Sequence, residues 1–301
     1  MVTALVTGAG GFVGRHLMDH LAEEGDDVTG CDRLDGFDVT DRTAVVERFA
    51  LTRPEVVYHL AGWSDVGGSW AAPVEVFHVN AEGTLNVLLA ATEAGVGRVV
   101  AVSSADVYGI VAEDELPIGE DAPLRPVSPY AASKVAADFL GLQAWLGARL
   151  EVIRVRAFNH LGPGQSPKFV APALAQRVAR NELSGADVVP VGNLAARRDM
   201  TDVRDVVRAY RLLSVKGDPG EVYNVCSGVD IAVEELAHRL IGQATTPMHL
   251  VADPDLQRPI DVPVLRGDNT KVCAATGWSP SITLDVTLAD LLEEWRRKMR
   301  G

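Results

Sequence analysis

The chain has 301 residues, of which 41 are acidic and 28 basic, so its net charge is −13 at pH 7. This length accommodates one large α/β domain or two smaller ones, and the negative charge argues against a nucleic-acid partner because it repels a phosphate backbone. Residues 2–6 are apolar but lack a basic leader, and Arg15 and His16 soon follow, which argues against a secretory segment. No run approaches the roughly 20 apolar residues of a membrane helix, so we expect a cytoplasmic protein without membrane contact.

Apolar β-type runs alternate with helical patterns over the first half of the chain. The runs at residues 2–7, 56–60, 98–103 and 152–155 predict strands. Between the first two, Val13, Leu17 and Leu21 recur at helical spacing. A further helix is predicted from Pro129, with Ser128 as its N-cap. Such alternation is typical of βαβ units, and it predicts an α/β fold with a doubly wound parallel sheet of the Rossmann type.

The character of the sequence changes from about Gly162. Glycine and proline become frequent, and irregular segments separate helical patterns near residues 203–210, 233–240 and 284–295. This composition predicts a smaller lobe that caps the sheet. We expect the Rossmann domain over residues 1–160 and the second lobe mainly over residues 161–301, with the chain crossing between them.

Glycines mark the turn between the first predicted strand and the first predicted helix. Gly8, Gly11 and Gly14 stand in the order T-G-A-G-G-F-V-G. Glycine there allows a tight turn and a close approach of backbone N–H groups to a pyrophosphate, although tight packing of a strand on a helix needs the same residues. Asp32 follows the next strand, where a carboxylate can bind the ribose hydroxyls of a dinucleotide. Asp32 would repel a 2′-phosphate, which slightly favours NAD over NADP, while Arg33 beside it keeps NADP open.

Tyr130 and Lys134 lie four residues apart, so their side chains share one face of a helix. An exposed helix pair has the same spacing. Ser103 and Ser104, however, lie at the carboxyl end of an upstream parallel strand, which is where ligands bind in this architecture. Their hydroxyls could equally be strand-end caps. We therefore predict that Ser104 hydrogen-bonds a substrate oxygen and Tyr130 together, with Lys134 stabilising the phenolate form of the tyrosine.

Six motifs together resemble the extended short-chain dehydrogenases that act on nucleotide sugars. They are T-G-x-x-G-x-x-G at 7–14, H-L-A-G at 59–62, Asn80 before a helix, S-S-A-D-V-Y-G at 103–109, S-P-Y-A-A-S-K at 128–134 and R-A-F-N-H-L-G-P-G-Q at 156–165. This resemblance implies a C-terminal lobe that binds a nucleotide sugar. It also implies a homodimer formed through helices of the first domain.

The second half of the chain is most similar to the GDP-4-keto-6-deoxy-D-mannose reductases. The motifs are V-G-N-L-A-A-R-R-D at 191–199, T-D-V-R-D at 201–205, G-E-V-Y-N-V-C-S-G at 220–228, R-P-I-D-V-P-V-L-R-G-D at 258–268 and T-G-W-S-P at 276–280. The implied reaction is the NAD(P)-dependent reduction of the C4 keto group to give GDP-D-rhamnose. Arg198 and Arg258 would then hold the diphosphate, a task that suits guanidinium groups, although a surface ion pair is the simpler interpretation of either arginine.

The resemblance also implies the residues of each site. The catalytic residues would be Ser104, Tyr130 and Lys134. The cofactor would contact Gly8, Gly11, Phe12, Val13, Asp32, Arg33, Asp38, Val39, Leu60, Ala61, Gly62, Ser103, Tyr130 and Lys134. The nucleotide sugar would contact Ser64, Asp106, Asn159, Val170, Arg198 and Arg258. The cysteines, Cys31, Cys226 and Cys273, are far apart and form no C-x-x-C pair, so we predict reduced thiols and no metal site.

Other activities are open on the same scaffold. A 4,6-dehydratase of the kind that uses an Asp-Glu pair carries it directly after the catalytic serine or threonine, where this chain has Ala105 and Asp106. Because Ala105 cannot exchange a proton, the elimination machinery is incomplete, and a dehydratase or 4-epimerase is the second choice. A protein that senses NAD(P) without turnover would have no need of Ser104, Tyr130 and Lys134. Trp63 departs from the family pattern, which has a smaller or polar residue there.

Overall fold

The computed structural model describes residues 2–256 and 262–300. The strands within these residues are β1 (Thr3–Thr7), β2 (Asp27–Cys31), β3 (Val56–His59), β4 (Arg98–Val102), β5 (Glu151–Ala157), β6 (Asn159–Leu161), β7 (Val188–Val191), β8 (Arg197–Asp202), β9 (Val222–Val225), β10 (Asp230–Ala232), β11 (His249–Ala252) and β12 (Val264–Leu265). The helices are α1 (Phe12–Glu23), α2 (Arg42–Thr52), α3 (Pro73–Phe77), α4 (Gly83–Glu93), α5 (Pro129–Ala148), α6 (Val170–Ser184), α7 (Val203–Lys216), α8 (Val233–Ile241), α9 (Thr270–Thr276) and α10 (Leu284–Arg300). Arg258 lies outside the described residues.

A six-stranded parallel sheet forms the centre of the molecule, in the order β2-β1-β3-β4-β5-β9. The chain builds β2 on one side of β1 and then crosses to the other side to build β3. That reversal opens a crevice at the carboxyl ends of the strands, which is where ligands bind in sheets of this kind. The predicted Rossmann-type α/β fold is confirmed.

Both faces of the central sheet are buried, which explains why its strands read as continuous apolar runs. Successive side chains of a strand point to opposite faces. In β1, Leu5 packs with Val45 and Phe49 of α2 on one face, while Val6 packs with Leu17 of α1 on the other. The sheet is thus a rigid middle layer that fixes the positions of the loops leaving its strands.

A second apolar core lies under the C-terminal part of the chain. Leu174 of α6, Leu236 of α8 and Leu291 of α10 are fully or almost fully buried in it. Beside it, β8 pairs with β6, β10 and β12. The chain crosses back to the first sheet for α7 and β9, as their packing there shows. None of the helices in the described ranges is both long and apolar enough to span a bilayer.

Candidate active site

A cavity of about 960 Å³ opens at the carboxyl ends of the central strands and extends to α6 and β7. It lies at the upper end of the size range of ligand sites. The predicted site residues that line it are Gly8, Gly11, Phe12, Val13, Asp32, Arg33, Asp38, Val39, Leu60, Ala61, Gly62, Ser64, Asp106, Tyr130, Asn159, Val170 and Arg198. Ser103, Ser104 and Lys134 are buried, with at most 9% of each residue exposed, and do not line the cavity themselves.

The glycine loop between β1 and α1 is shaped for close approach of a ligand. Gly8 has a φ of +75°, and a Cβ atom on it would lie 2.7 Å from the backbone nitrogen of Ala61, which no packed side chain tolerates. Gly11 is the N-cap of α1 and offers no side chain to its first N–H groups. Backbone donors at a helix N-terminus bind phosphate, so this loop fits the pyrophosphate of a dinucleotide.

Two carboxylates, Asp32 and Asp38, line the cavity near the end of β2. Asp32 accepts hydrogen bonds from the N–H groups of Gly10 at 3.2 Å and Leu34 at 3.1 Å, which fixes its carboxylate beside the glycine loop. Arg33 reaches Asp38 at 3.5 Å through an exposed ion pair. A hydrogen bond from the N–H of Thr40 is the main cause that lowers the pKa of Asp38. These residues fit the ribose of NAD or NADP, and the slight preference for NAD stays a prediction.

Phe12 connects the glycine loop with the second lobe. Its ring stacks on His160 with 6.1 Å between centroids, and His16 packs edge-on against it at 5.6 Å. His16 Nε2 in turn lies 2.8 Å from the carbonyl oxygen of Pro163. The loop that fits the cofactor and the segment that begins at Asn159 are therefore packed as one unit.

The predicted catalytic residues are brought together where β4 ends and α5 begins. Ser128 caps α5 by accepting the N–H of Ala131 at 3.1 Å, as the sequence predicts. Tyr130 is then in the first turn of α5, and Lys134 lies one turn further on. The ammonium of Lys134 donates to the carbonyl oxygen of Val102 at 3.0 Å, and burial lowers the pKa of Lys134 to about 8.

The Tyr130 phenol is held in its neutral form in the protein without ligands. Burial is the main cause that raises its pKa above the ordinary value of about 10, and the nearby charge of Asp106 adds to the increase. The neighbouring Ser104 hydroxyl would lower the pKa by a smaller amount if it donated to the phenol oxygen. A neutral phenol is a proton donor, which is the form that a reduction needs.

A buried histidine supports the loop that follows β3, and sequence reasoning missed its role. Burial lowers the pKa of His59 to about 3, so the ring is neutral. His59 Nδ1 lies 2.8 Å from the Thr7 hydroxyl, and Nε2 lies 3.0 Å from that of Thr84. Because Thr84 gives its own proton to the carbonyl oxygen of Asn80, Nε2 must be the protonated nitrogen. The sequence signals were a polar residue at the end of a buried strand and its place at the start of the H-L-A-G motif.

Asn80 ties the same loop to the catalytic helix. Its side-chain oxygen accepts the N–H of Trp63 at 2.7 Å, and its amide donates to Ser133 of α5 at 2.9 Å. A Cβ atom on Gly62 would lie 2.9 Å from this oxygen and 3.5 Å from the Lys134 ammonium. Glycine at position 62 therefore lets the loop pack against the Asn80 side chain without a clash.

Three cationic side chains from the second half of the chain line the cavity. Arg198 of β8 donates from Nη1 to the carbonyl oxygens of Arg197 at 2.8 Å and Val262 at 2.7 Å. Lys168 and Arg177 also line the cavity, and sequence reasoning missed both. Lys168 lies just before α6, and Arg177 lies within it. Their closeness in sequence to Val170, a predicted substrate contact, is the signal by which they could have been identified.

Comparison with known proteins gives consistent matches over nearly the full chain. Residues 4–226 match the family described as the NAD dependent epimerase/dehydratase family. GDP-6-deoxy-D-mannose reductase of Pseudomonas aeruginosa is 36% identical over 98% of this chain and 97% of its own length. A solved structure of RMD from Pseudomonas aeruginosa complexed with NADPH has a TM-score of 0.92 and 35% identity, covering 99% of this chain and all of that one. UDP-glucose 4-epimerase of Thermus thermophilus in complex with NAD has a TM-score of 0.88 and 30% identity, covering 97% of this chain and 98% of that one.

Proposed function

The chain belongs to the NAD dependent epimerase/dehydratase family, and on that premise we propose that it reduces the C4 keto group of a nucleotide-activated 6-deoxy sugar. The preferred substrate is GDP-4-keto-6-deoxy-D-mannose and the product is GDP-D-rhamnose. The observation that carries this proposal is the buried, neutral phenol of Tyr130 beside Lys134 at the wall of the cavity. The relative GDP-6-deoxy-D-mannose reductase supports the choice of sugar.

Tyr130 and Lys134 have different roles in the proposed reduction. When bound, NADH or NADPH supplies the hydride that the C4 carbon receives. Tyr130 holds the proton for the C4 oxygen, and its raised pKa keeps that proton in place across neutral pH. Lys134 lies one turn away on α5, where its positive charge stabilises the phenolate that remains after the transfer. Both residues are buried, which strengthens this attraction because little water reaches them.

Dehydration on the same site is the second candidate. It requires an acid and a base in addition to the hydride relay, and the turn after Ser104 offers one carboxylate instead of two. Ala105 is 1% exposed and cannot exchange a proton, so only Asp106 remains on that turn. We therefore propose net reduction, with dehydration and epimerisation as activities of relatives that share the scaffold.

A panel of nucleotide 4-keto-6-deoxy sugars tests the proposed substrate. We expect the GDP sugar to be reduced with a higher kcat/KM than the UDP and dTDP sugars, and NADH to serve at least as well as NADPH. The product should be identified by nuclear magnetic resonance of the sugar ring. Reduction of a UDP or dTDP sugar in preference to the GDP sugar would contradict the assignment of the nucleotide.

Arg198 should contribute to binding of the nucleotide sugar. We expect Arg198→Ala to raise the KM for the nucleotide sugar about tenfold or more with a smaller change in kcat, because a charge-assisted hydrogen bond to phosphate is worth roughly 1.5–3 kcal/mol. Steady-state kinetics measure this change. Arg180→Ala is the control, since Arg180 is an exposed arginine of α6 that does not line the cavity. Equal KM values in both variants would show that Arg198 does not contribute to binding of the nucleotide sugar. The same substitution at Arg258 tests its proposed role.

We also propose that the protein is a homodimer, formed through α4 and α5. Phe139 and Leu146 are 53% and 60% exposed on α5, where they border a shallow groove with Leu142. Phe77 and Leu89 add exposed apolar surface on the neighbouring segments before and within α4. A contiguous apolar patch of this kind marks an interface.

A cytoplasmic location stays a prediction.

The dimer proposal is tested by placing a charge in the patch. Phe139→Glu should produce a monomer in analytical ultracentrifugation under conditions in which the unchanged protein is a dimer, because an unpaired carboxylate in an apolar interface is costly to desolvate. Leu183→Glu is the control, since Leu183 is 59% exposed on α6, away from this patch. A monomeric unchanged protein would refute the proposal.

A further inference from the structure

The turn that follows β4 places a carboxylate against the Ser104 hydroxyl. Ser104 caps a short 3₁₀ helix over Ala105–Tyr108 by accepting the N–H of Asp106 at 3.2 Å. The Ser104 hydroxyl itself donates a hydrogen bond to Asp106 Oδ2 at 2.9 Å. A hydroxyl has one proton and two lone pairs. What Ser104 can still offer a neighbour in this arrangement is therefore a lone pair.

The position of Ser104 makes Tyr130 that neighbour. The Ser104 hydroxyl lies within hydrogen-bonding reach of the Tyr130 phenol, and Asp106 lines the same cavity as Tyr130. A lone pair of Ser104 matches the O–H of the phenol. It does not match a keto oxygen of the substrate, which is itself an acceptor. The sequence predicts that Asp106 contacts the sugar and that Ser104 hydrogen-bonds a substrate oxygen and Tyr130 together; in the structure the Ser104 hydroxyl donates to Asp106.

We propose that Asp106 is a positioning residue for Ser104 and Tyr130. Its carboxylate accepts the hydrogen bond that the Ser104 hydroxyl donates, so Ser104 acts as an acceptor toward the phenol. Its negative charge disfavours a second negative charge nearby, so the phenol stays protonated until the C4 oxygen takes up the proton. This inference rests on the proposed reduction and adds the residue that favours proton donation over proton abstraction at this site.

The charges that face Tyr130 agree with this role. Asp106 raises the pKa of the phenol, second only to burial. Lys134 follows one turn later on the same helix and is cationic below its pKa of about 8. From α7 the phenol faces Tyr210, which is fully buried and whose own pKa is raised by burial. Asp106 is thus the anionic group whose removal should make Tyr130 lose its proton at a lower pH.

Asp106→Asn separates charge from hydrogen bonding. Asparagine keeps a side-chain oxygen that can accept the Ser104 proton, but it has no negative charge. We expect the alkaline limb of kcat/KM for the reduction to move to lower pH by about 1 unit. Asp114→Asn is the matched control, because Asp114 is an exposed carboxylate outside the cavity, and it should leave the limb in place. An unshifted limb in Asp106→Asn would overturn the proposal.

Asp106→Ala tests whether the residue acts through Ser104. The alanine variant frees the Ser104 proton, and we expect kcat to fall about tenfold, the size of one lost hydrogen bond. In a Ser104→Ala background the same change should have a clearly smaller effect, because the two residues form one unit. Fully additive effects would contradict positioning through Ser104.

A measurement without sugar keeps this test independent of the proposed function. The chain has 5 tyrosines, so tyrosine labelled with ¹³C at Cζ gives few signals, and Tyr130→Phe assigns the relevant one. In the complex with the oxidised dinucleotide, the ionisation midpoint of Tyr130 should be lower in Asp106→Asn than in the unchanged protein. Equal midpoints would overturn the role of Asp106, whereas a failure of the sugar to react would concern the proposed function only.

Discussion

Tyr130→Phe should lower kcat for reduction of the GDP-4-keto-6-deoxy sugar by about 10²- to 10⁴-fold, while the affinity for the dinucleotide stays close to that of the unchanged protein. The change removes a single oxygen from a residue that is 7% exposed at the wall of the cavity. Without it, the C4 oxygen has to take its proton from water. The glycine loop and Asp32, which fit the dinucleotide, are unaffected.

Tyr210→Phe is the matched control for this loss. Tyr210 is also a fully buried tyrosine near Tyr130, and its hydroxyl has no hydrogen-bond partner among the described residues. Removing that hydroxyl should leave kcat within a factor of about two, because no donated bond is lost. Stopped-flow kinetics at saturating cofactor measure both variants. A Tyr130→Phe enzyme that turns over at the rate of the unchanged protein would refute the proton-donor role.

The pH dependence of the reduction follows from the same phenol. The donor form of Tyr130 is protonated, and its pKa is raised in the protein without ligands. Activity that depends on the donor is therefore fully present at neutral pH and is lost as the pH rises through the phenol's pKa in the complex. Burial and the charge of Asp106 raise this pKa, so they move the loss of activity to higher pH.

Asp138→Ala should destabilise the fold by about 3–5 kcal/mol, because it leaves two buried guanidinium groups without their shared counter-charge. Asp138 lies on α5 two turns beyond Tyr130, and its side chain is completely buried. It accepts from Arg154 at 2.7 Å and from Arg156 at 3.0 Å, both on β5. Arg156 also donates to the hydroxyl of Tyr108 at 3.0 Å, so the cluster joins the catalytic helix to the turn after Ser104.

Urea unfolding followed by circular dichroism measures the free energy lost in Asp138→Ala. Glu115→Ala is the control, because Glu115 forms an exposed pair with Arg125 at 3.1 Å and such pairs contribute at most about 1 kcal/mol. The two variants remove the same charge from the chain and differ in the burial of the pair. A loss in Asp138→Ala as small as that in Glu115→Ala would show that solvent reaches the arginines.

Local sequence signals predict the first domain well. The strand at residues 98–103 is observed as Arg98–Val102, and the helix predicted from Pro129 begins there with Ser128 as its cap. Such elements follow from apolar periodicity and from capping chemistry within a few residues. The glycine loop and the spacing of Tyr130 and Lys134 are equally local, which explains why they could be identified without a structure.

Contacts between residues far apart in sequence could not be predicted in the same way. The hydrogen bonds of His59 to Thr7 and Thr84 span 52 and 25 residues. The cationic residues Lys168 and Arg177 belong to none of the sequence motifs, and only the folded chain places them against the cavity. The bond from Ser104 to Asp106 is local, but its direction depends on rotamers that composition and spacing do not determine.

The consumption of reduced cofactor tests the central claim most directly. A reductase oxidises one NADH or NADPH for each GDP-4-keto-6-deoxy-D-mannose it converts, because the hydride stays on the sugar. A dehydratase or an epimerase transfers a hydride from the sugar to the oxidised cofactor and then returns it to the sugar, so no net oxidation of the cofactor occurs. We predict a stoichiometric loss of nicotinamide absorbance with the 4-keto sugar, and no 4-keto sugar from GDP-mannose. Formation of a 4-keto sugar from GDP-mannose without added reductant would contradict the reductase and identify a dehydratase.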